Sequence, residues 1–220
     1  MLEVHPAAPA YDLLVKAGGG DAAHAQRLLK TADLIRSLSE FSPVSAPAAA
    51  AVAALVTPRT FKKDDWLLRG GERAHSLFFI ARGLVREVYI DAAGAEHIRT
   101  FIAEGGFTGS LVDLISQRPA ITWIQALEPT HTLALVYSDF ARVCDEHPSL
   151  QRAARRFAEN LYVRKVIREY ELQALPARQR YKMWKREWRS IDSRVRRRDL
   201  ASFLGVRPEH LSRLRANRAD

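Results

Sequence analysis

Hydrophobic and polar positions follow a short period in the middle of the chain. Between residues 59 and 137, short apolar runs rich in aromatic and β-branched residues alternate with glycine-containing turns, a pattern typical of antiparallel strands. Five strands are predicted, over residues 76–83, 84–90, 95–102, 122–127 and 132–137. Strands of this length and spacing indicate a compact antiparallel barrel or sandwich.

Helical periodicity dominates on both sides of this region. Short helices are predicted over residues 32–39 and, with Ser45 as the N-cap, over residues 45–55. After Pro148 the apolar residues advance by four, three and four positions. This spacing predicts one long helix to about Leu175, which Pro176 ends. An amphipathic segment over residues 177–188 and two short helices follow, so the predicted fold class is α+β.

The sequence RDLASFLGVRPEHLSRLR, residues 198–215, has the spacing of a helix-turn-helix unit. Ala201 supplies a small residue where the helices cross, and Gly205 supplies a residue tolerant of positive φ in the turn. Pro208 is compatible with the first turn of the second helix. The alternative is a helical hairpin that packs for stability alone. Apolar residues stand at the positions that fill the space between the helices: Leu200, Leu204, Val206, Leu211 and Leu214.

Positive charge is concentrated at the same end of the chain. Residues 151–220 hold 20 Lys and Arg against 8 Asp and Glu, a net charge of +12, whereas the whole chain carries +9. Clustered basic residues bind polyanions because they release condensed counterions, although a solvated helix face would have the same composition. If the second helix enters a major groove, its first two turns read bases and nearby arginines contact phosphates. The base-reading candidates are Arg207, Glu209, His210 and Arg213, with Ser212 as a further DNA-binding candidate, and the phosphate candidates are Arg196, Arg197, Arg198, Arg215 and Arg218.

With the β-rich region ahead of this motif, the chain resembles the Crp/Fnr superfamily of bacterial transcription regulators over residues 34–216. The resemblance rests on the glycine spacing within residues 61–110 and on the pattern LGV-x-x-E-x-LSR-x-R near the end. It implies an N-terminal extension (1–33), a cyclic-nucleotide-binding-like sensor of the β-roll or jelly-roll type (34–147), a dimerisation helix (148–175) and a helix-turn-helix DNA-binding domain (176–220). It also implies a homodimer whose partners are double-stranded DNA and RNA polymerase. A cytoplasmic location is the default expectation from the sequence.

The chain departs from the cyclic-nucleotide-binding cassette of this family at two positions. The cassette begins with Gly-Glu, whose carboxylate accepts a ribose hydroxyl, and an arginine near its tail binds the cyclic phosphate. Here the head is Gly109-Ser110 and the tail runs from Pro119 to Thr122, so both charged contacts are missing. Cyclic AMP is therefore not the expected ligand, and an unknown small-molecule effector or none stays open. The candidate ligand contacts are Thr100, Gly109, Ser110, Arg118 and Thr122.

Other classes of function find little support. The single cysteine, Cys144, excludes a disulfide framework and a cysteine-held metal cluster within the chain, and we interpret it as a packing residue. The histidines lack paired ligand spacing and no catalytic motif occurs, so neither a metal, a cofactor nor an enzymatic activity is predicted. The longest apolar run is far below the roughly 20 residues that cross a membrane, and no secretion signal is evident. The second hypothesis is a ligand-binding or protein-interaction module whose basic end docks an acidic protein partner.

Overall fold

The computed structural model describes residues 22–216 of the chain. Two helices, α1 (Ala22–Ser39) and α2 (Ala46–Leu55), precede the β-rich region. Helix α1 begins well ahead of its predicted start at residue 32. Ser45 occupies the N-cap position of α2 as predicted. Its hydroxyl accepts a hydrogen bond from Ser149 of a distant helix, at 2.9 Å, instead of capping α2 itself.

Two antiparallel sheets of four strands form the β-roll, residues 57–136, in the described part of the chain. Their strand orders are β1–β8–β3–β6 and β2–β7–β4–β5. The five predicted strands are present with ends shifted by one or two residues, so the predicted antiparallel roll is confirmed. The strands β1, β2 and β6 were missed because they are short and β1 exposes most of its side chains. The bounds are β1 Thr57–Phe61, β2 Trp66–Leu68, β3 Ser76–Arg82, β4 Val85–Ile90, β5 Glu96–Ile102, β6 Phe107–Thr108, β7 Trp123–Ala126 and β8 Thr130–Val136.

Helices follow and interrupt this roll. A short helix, α3 (Leu111–Ser116), lies between β6 and β7, and α4 (Tyr137–Glu146) follows β8. The long helix α5 (Pro148–Ala174) starts with proline in its first turn and ends just before Pro176, as predicted. The last three helices are α6 (Ala177–Glu187), α7 (Arg197–Phe203) and α8 (Pro208–Ala216).

One hydrophobic core joins the β-roll to the helices on either side of it along the chain. It contains Leu34 of α1, Val52 of α2, Phe79 of β3 and Leu150 of α5, each at most 1% exposed. This core fixes α1, α2 and the first half of α5 against the sheet that contains β3 and β8.

A second core joins the other sheet to the three C-terminal helices. The ring of Phe101 on β5 contacts the rings of Trp184, Trp188 and Phe203, with centroids 5.6, 6.3 and 5.5 Å away. Each aromatic pair contributes about 0.5–1.5 kcal/mol beyond the area that it buries. The C-terminal helices therefore dock on the β-roll through an apolar interface, which sequence periodicity did not predict.

Candidate functional site

The two helices predicted over residues 198–215 are present as α7 and α8, joined by a tight turn at residues 204–207. Gly205 has φ +64°, the left-handed conformation predicted for it. The N–H of Gly205 donates to the Ser202 carbonyl and that of Val206 to the Ala201 carbonyl, both at 3.0 Å. Ala201 and Leu211 are buried, 1% and 2% exposed. The spacing in the sequence thus predicted this unit correctly.

Two arginines of neighbouring helices bind the carbonyl end of α7. The guanidinium of Arg168 on α5 donates to the carbonyl of Phe203 and lies 3.9 Å from the centroid of its ring. Nε of Arg180 on α6 donates to the Leu204 carbonyl at 2.9 Å. Cations stabilise the negative end of a helix dipole, so these side chains fix the two-helix unit at the end of α5. Sequence reasoning missed both because each lies in a basic helix typical of a solvated surface.

Helix α8 is amphipathic, and its outer face carries two of the four base-reading candidates, Glu209 and Arg213. Glu209, Ser212 and Arg213 are exposed there, whereas Leu211 faces the core. Arg207 and Arg213 form no salt bridge with any of residues 22–216, and both line an open groove of about 630 Å³ beside the start of α6.

Two candidates on α8 are less available than predicted. His210 is half-buried in the same groove. The hydroxyl of Ser212 donates to the Pro208 carbonyl at 3.1 Å, so its proton is engaged within the helix.

The phosphate candidates separate into two groups. Arg197, Arg198 and Arg215 are exposed on the two-helix unit. Arg196 instead forms an ion pair with Asp64 of the β-roll, and this hydrogen bond lowers the pKa of the Asp64 carboxyl. The start of α7 docks on β5, which brings Arg196 to the roll. Arg218 lies outside the described residues.

A buried ion cluster lies where α7 meets the β-roll. Arg86 of β4 and Asp199 of α7 are each 2% exposed at the side chain, and Nη1 of Arg86 lies 3.0 Å from Oδ1 of Asp199. The same nitrogen donates to Glu96 Oε2 at 2.6 Å, while Nε donates to Gln125 Oε1 at 2.9 Å. Among residues 22–216, nothing pairs with the second oxygen of Asp199.

The pKa values of the two carboxyls in this cluster are shifted in opposite directions. Burial raises the pKa of Asp199, although Arg86 opposes the shift. The hydrogen bond from Arg86 lowers the pKa of Glu96. Next to them, the Ser202 hydroxyl accepts the Ile98 N–H at 2.9 Å and donates to the Glu96 carbonyl at 3.1 Å, which bonds α7 to β5.

Two of the predicted ligand contacts meet inside the β-roll. The Ser110 hydroxyl lies 2.9 Å from the Thr122 hydroxyl and 2.6 Å from Oδ2 of Asp113, and all three side chains are buried. Asp113 was not predicted. The signal for it was present, because Ser110 and Asp113 have the S-x-x-D spacing of a residue pair at a helix start.

A second polar group lies in the same roll. Glu87 of β4 is 4% exposed, accepts a hydrogen bond from the Thr108 hydroxyl at 2.7 Å and forms an ion pair with Arg99. Thr108 directly precedes Gly109, where φ is +138° and a Cβ would lie 2.5 Å from the Ser76 carbonyl oxygen, so this position requires glycine.

The remaining ligand candidates do not join these groups. Arg118 is exposed, and the Thr100 hydroxyl donates to the Phe101 carbonyl at 3.4 Å. Of the five predicted ligand contacts, Ser110 and Thr122 are therefore the two whose side chains meet inside the roll.

Comparisons with known proteins support the fold. Residues 58–147 match the family model of the cyclic nucleotide-binding domain. The cAMP-activated global transcriptional regulator CRP of Pasteurella multocida is 26% identical over 90 residues, 41% of this chain and 43% of that protein. The CRP of Salmonella typhimurium is 26% identical over 104 residues, 47% of this chain and 50% of that protein. The chain thus spans about half the length of the curated relatives that it matches.

Solved structures extend the likeness beyond the β-roll. FixK2 from Bradyrhizobium japonicum superposes with a TM-score of 0.63 at 19% identity, over 73% of this chain and 83% of that chain. The c-di-GMP responsive global regulator CLP of Xanthomonas campestris superposes with a TM-score of 0.63 at 16% identity, over 77% and 89%. At these identities the likeness shows the fold. Within residues 22–216, no helix is long and apolar enough to cross a bilayer.

Proposed function

We propose that the chain is a Crp/Fnr-type regulator that binds duplex DNA as a homodimer and regulates transcription, because residues 58–147 match the cyclic nucleotide-binding domain and the fold is like that of FixK2. The observation that carries this proposal is the outer face of α8, where Glu209 and Arg213 are exposed while Leu211 is buried. The proposal includes a cytoplasmic location and contact with RNA polymerase.

Helix α8 has the size and the side chains for major-groove recognition. An α-helix is about 10–12 Å across, and the major groove of B-DNA is about 12 Å wide. Arg207 and Arg213 can each donate two hydrogen bonds to guanine, and Glu209 can accept one from cytosine. Arg197 and Arg198, at the start of α7, are placed to contact phosphates, which orient the unit without reading sequence.

An exposed apolar stripe on α5 supports the homodimer. Its residues are between 45% and 69% exposed. At 3.6 residues per turn they lie on the side of α5 opposite Phe157 and Arg168, which contact their own protomer. A second copy of α5 would bury this stripe and present two α8 helices to successive half-sites. The stripe consists of Tyr162, Val163, Val166, Ile167 and Tyr170.

Sedimentation tests the dimer. Val166→Glu places a charge inside the stripe, so we expect the mass to fall from twice 24.8 kDa to 24.8 kDa. The control is Lys165→Glu, an exposed neighbour outside the stripe, which we expect to stay dimeric. A wild-type monomer, or equal behaviour of the two variants, would contradict the proposed interface.

We propose further that the sensor does not respond to cyclic AMP, because the Ser110 hydroxyl hydrogen-bonds to Thr122 and Asp113 where the cassette of this family holds its nucleotide. Calorimetric titration with cyclic AMP and cyclic GMP should give no saturable heat, and a cAMP-activated regulator measured in parallel is the positive control. Tight binding of either nucleotide to this protein would refute the argument.

Two arginine variants test the DNA-binding roles. The DNA upstream of the protein's own gene and a random duplex are titrated over a salt series. Arg213→Ala should reduce the preference for the upstream sequence by about 1–3 kcal/mol. Arg197→Ala should weaken binding to both duplexes equally and reduce the slope of log K against log salt by about 0.9. If neither variant alters binding, α8 is not the reading helix, and a basic end that docks an acidic protein becomes the better hypothesis.

A further inference from the structure

A second cavity lies between the β-roll and helices α3, α4 and α5. Its volume is about 280 Å³, just below the usual range of small-molecule pockets, about 300–1,000 Å³. Neither Ser110 nor Thr122 lines it, so it is distinct from the polar groups inside the roll. Its floor consists of Leu77, Leu135 and Phe140, all buried.

Small side chains leave this space open. Ala141 of α4 and Ala154 and Ala158 of α5 line the cavity, and larger residues at these positions would fill it. An empty apolar space loses dispersion contacts that a filled one would make. The cavity therefore lowers the stability of the protein unless something occupies it.

The lining determines which molecules the cavity can hold. The walls are apolar, and the one thiol in the chain, Cys144, is 8% exposed there. Burial raises the pKa of this thiol to about 11, so it is uncharged at neutral pH. The polar lining residues are Tyr137, Asp145, Gln151 and Arg155. Arg155 is 62% exposed and pairs with Glu159 there.

We propose that this cavity binds a small hydrophobic molecule with one polar end, its apolar body inside and its polar end at the edge. Such a ligand would contact both α3, which follows Ser110, and α5, the proposed dimerisation helix. A ligand that contacts both helices would favour the setting of α5 against the β-roll in which both contacts form. The binding site stands on the cavity alone, whereas its effect on DNA rests on the proposed function.

Cys144 reports occupancy directly, because it is the only cysteine in the chain. A thiol reagent must enter the cavity to reach it, and a ligand that occupies the cavity slows the reaction by a factor of 1 + [L]/Kd. With 1-decanol as the probe, the reaction should slow about tenfold at roughly ten times Kd and follow a saturation curve. Decanoate measured in parallel shows whether a charged end is accepted.

Three variants locate the probe. Ala154→Leu and Ala141→Leu fill the cavity from opposite walls, so each should abolish the protection of Cys144, and the second serves if the first fails to fold. Ala174→Leu makes the same change at an exposed position of α5 outside the cavity and should keep the wild-type protection. The proposal is wrong if decanol leaves the wild-type rate unchanged, as it would if another segment or a second copy already fills the space. Equal protection in the filled variants also overturns it.

DNA binding of the same samples separates the two proposals. Protection of Cys144 without DNA binding would leave the cavity assigned and contradict the proposed function. DNA binding without protection of Cys144 would support the proposed function and contradict the binding site in the cavity.

Discussion

Replacing Arg86 with methionine tests the buried ion cluster between the β-roll and α7. Methionine keeps an unbranched apolar side chain but removes the guanidinium. The hydrogen bonds from Arg86 to Glu96, Gln125 and Asp199, each at most 3.0 Å long, are then lost. The carboxyl of Asp199, 2% exposed, loses its buried cation.

The structure sets the size of the effect. Removing one partner of a buried ion pair costs about 3–5 kcal/mol. We expect about 3 kcal/mol here, since Glu96 is 34% exposed and can recover water. Domains have a free energy of unfolding of about 5–15 kcal/mol, so the loss is a large fraction of the total. Urea unfolding followed by tryptophan fluorescence measures it, because Trp184 and Trp188 lie at the same interface.

Replacing Asp199 in addition should restore part of the stability that Arg86→Met loses. Since burial raises the pKa of Asp199, the contribution of this group to stability is fully present below its unfolded pKa and is lost as the pH rises through its folded pKa. Asp199→Asn removes the carboxyl but leaves Arg86 paired with Glu96, so it should cost less than Arg86→Met, and combined with Arg86→Met it should recover about 1 kcal/mol.

An exposed arginine beside the same carboxyl is the control. Arg198 lies 3.6 Å from Asp199 and is 64% exposed, so Arg198→Met should change the free energy of unfolding by less than about 1 kcal/mol. If Arg86→Met costs no more than this control, or if the double variant equals the sum of the single ones, the cluster does not hold α7 to the roll.

Three further changes test separate features. Gly205→Ala forces a Cβ into the left-handed region, 3.2 Å from Leu172 Cδ2, and should lower the free energy of unfolding by about 1–2 kcal/mol; a smaller loss would mean that the turn relaxes. Phe101→Ala should cost about 3–5 kcal/mol, and a loss below 1 kcal/mol would contradict the second core. Because Arg86 lowers the pKa of Glu96, the stabilisation by Glu96 is present above its unfolded pKa and lost as the pH falls through its folded pKa. In Glu96→Gln the free energy of unfolding should therefore fall less steeply as the pH is lowered. If it falls as steeply as in the wild type, the Arg86–Glu96 pair does not stabilise the protein.

Local patterns were sufficient to predict the two-helix unit and the long helix. Ala201, Gly205 and Leu211 lie within one short segment, so their spacing alone specifies how α7 crosses α8. The long helix has an equally local signal, from Pro148 to Pro176. The central strands were also predicted, because each is a short apolar run rich in aromatic and β-branched residues next to a turn.

Contacts between distant segments were not predictable in this way. Arg86 and Asp199 are 113 positions apart, and each has an ordinary local interpretation, one in a strand and the other in a helix start. The same holds for Arg168 and Arg180, whose targets are backbone carbonyls without a sequence signal. Arg196 was predicted as a phosphate contact because no residue near it in the sequence indicates that it pairs with Asp64.

Selection from a pool of random duplexes tests the central claim most directly. If two copies of α8 read DNA from a symmetric dimer, the enriched sequences share an inverted repeat. Its half-sites should be centred one helical turn apart, about 10–10.5 base pairs, or a multiple of this distance, and Arg213→Ala should lose the enrichment. A pool that stays random with the wild-type dimer, in buffer of low salt, would contradict the account.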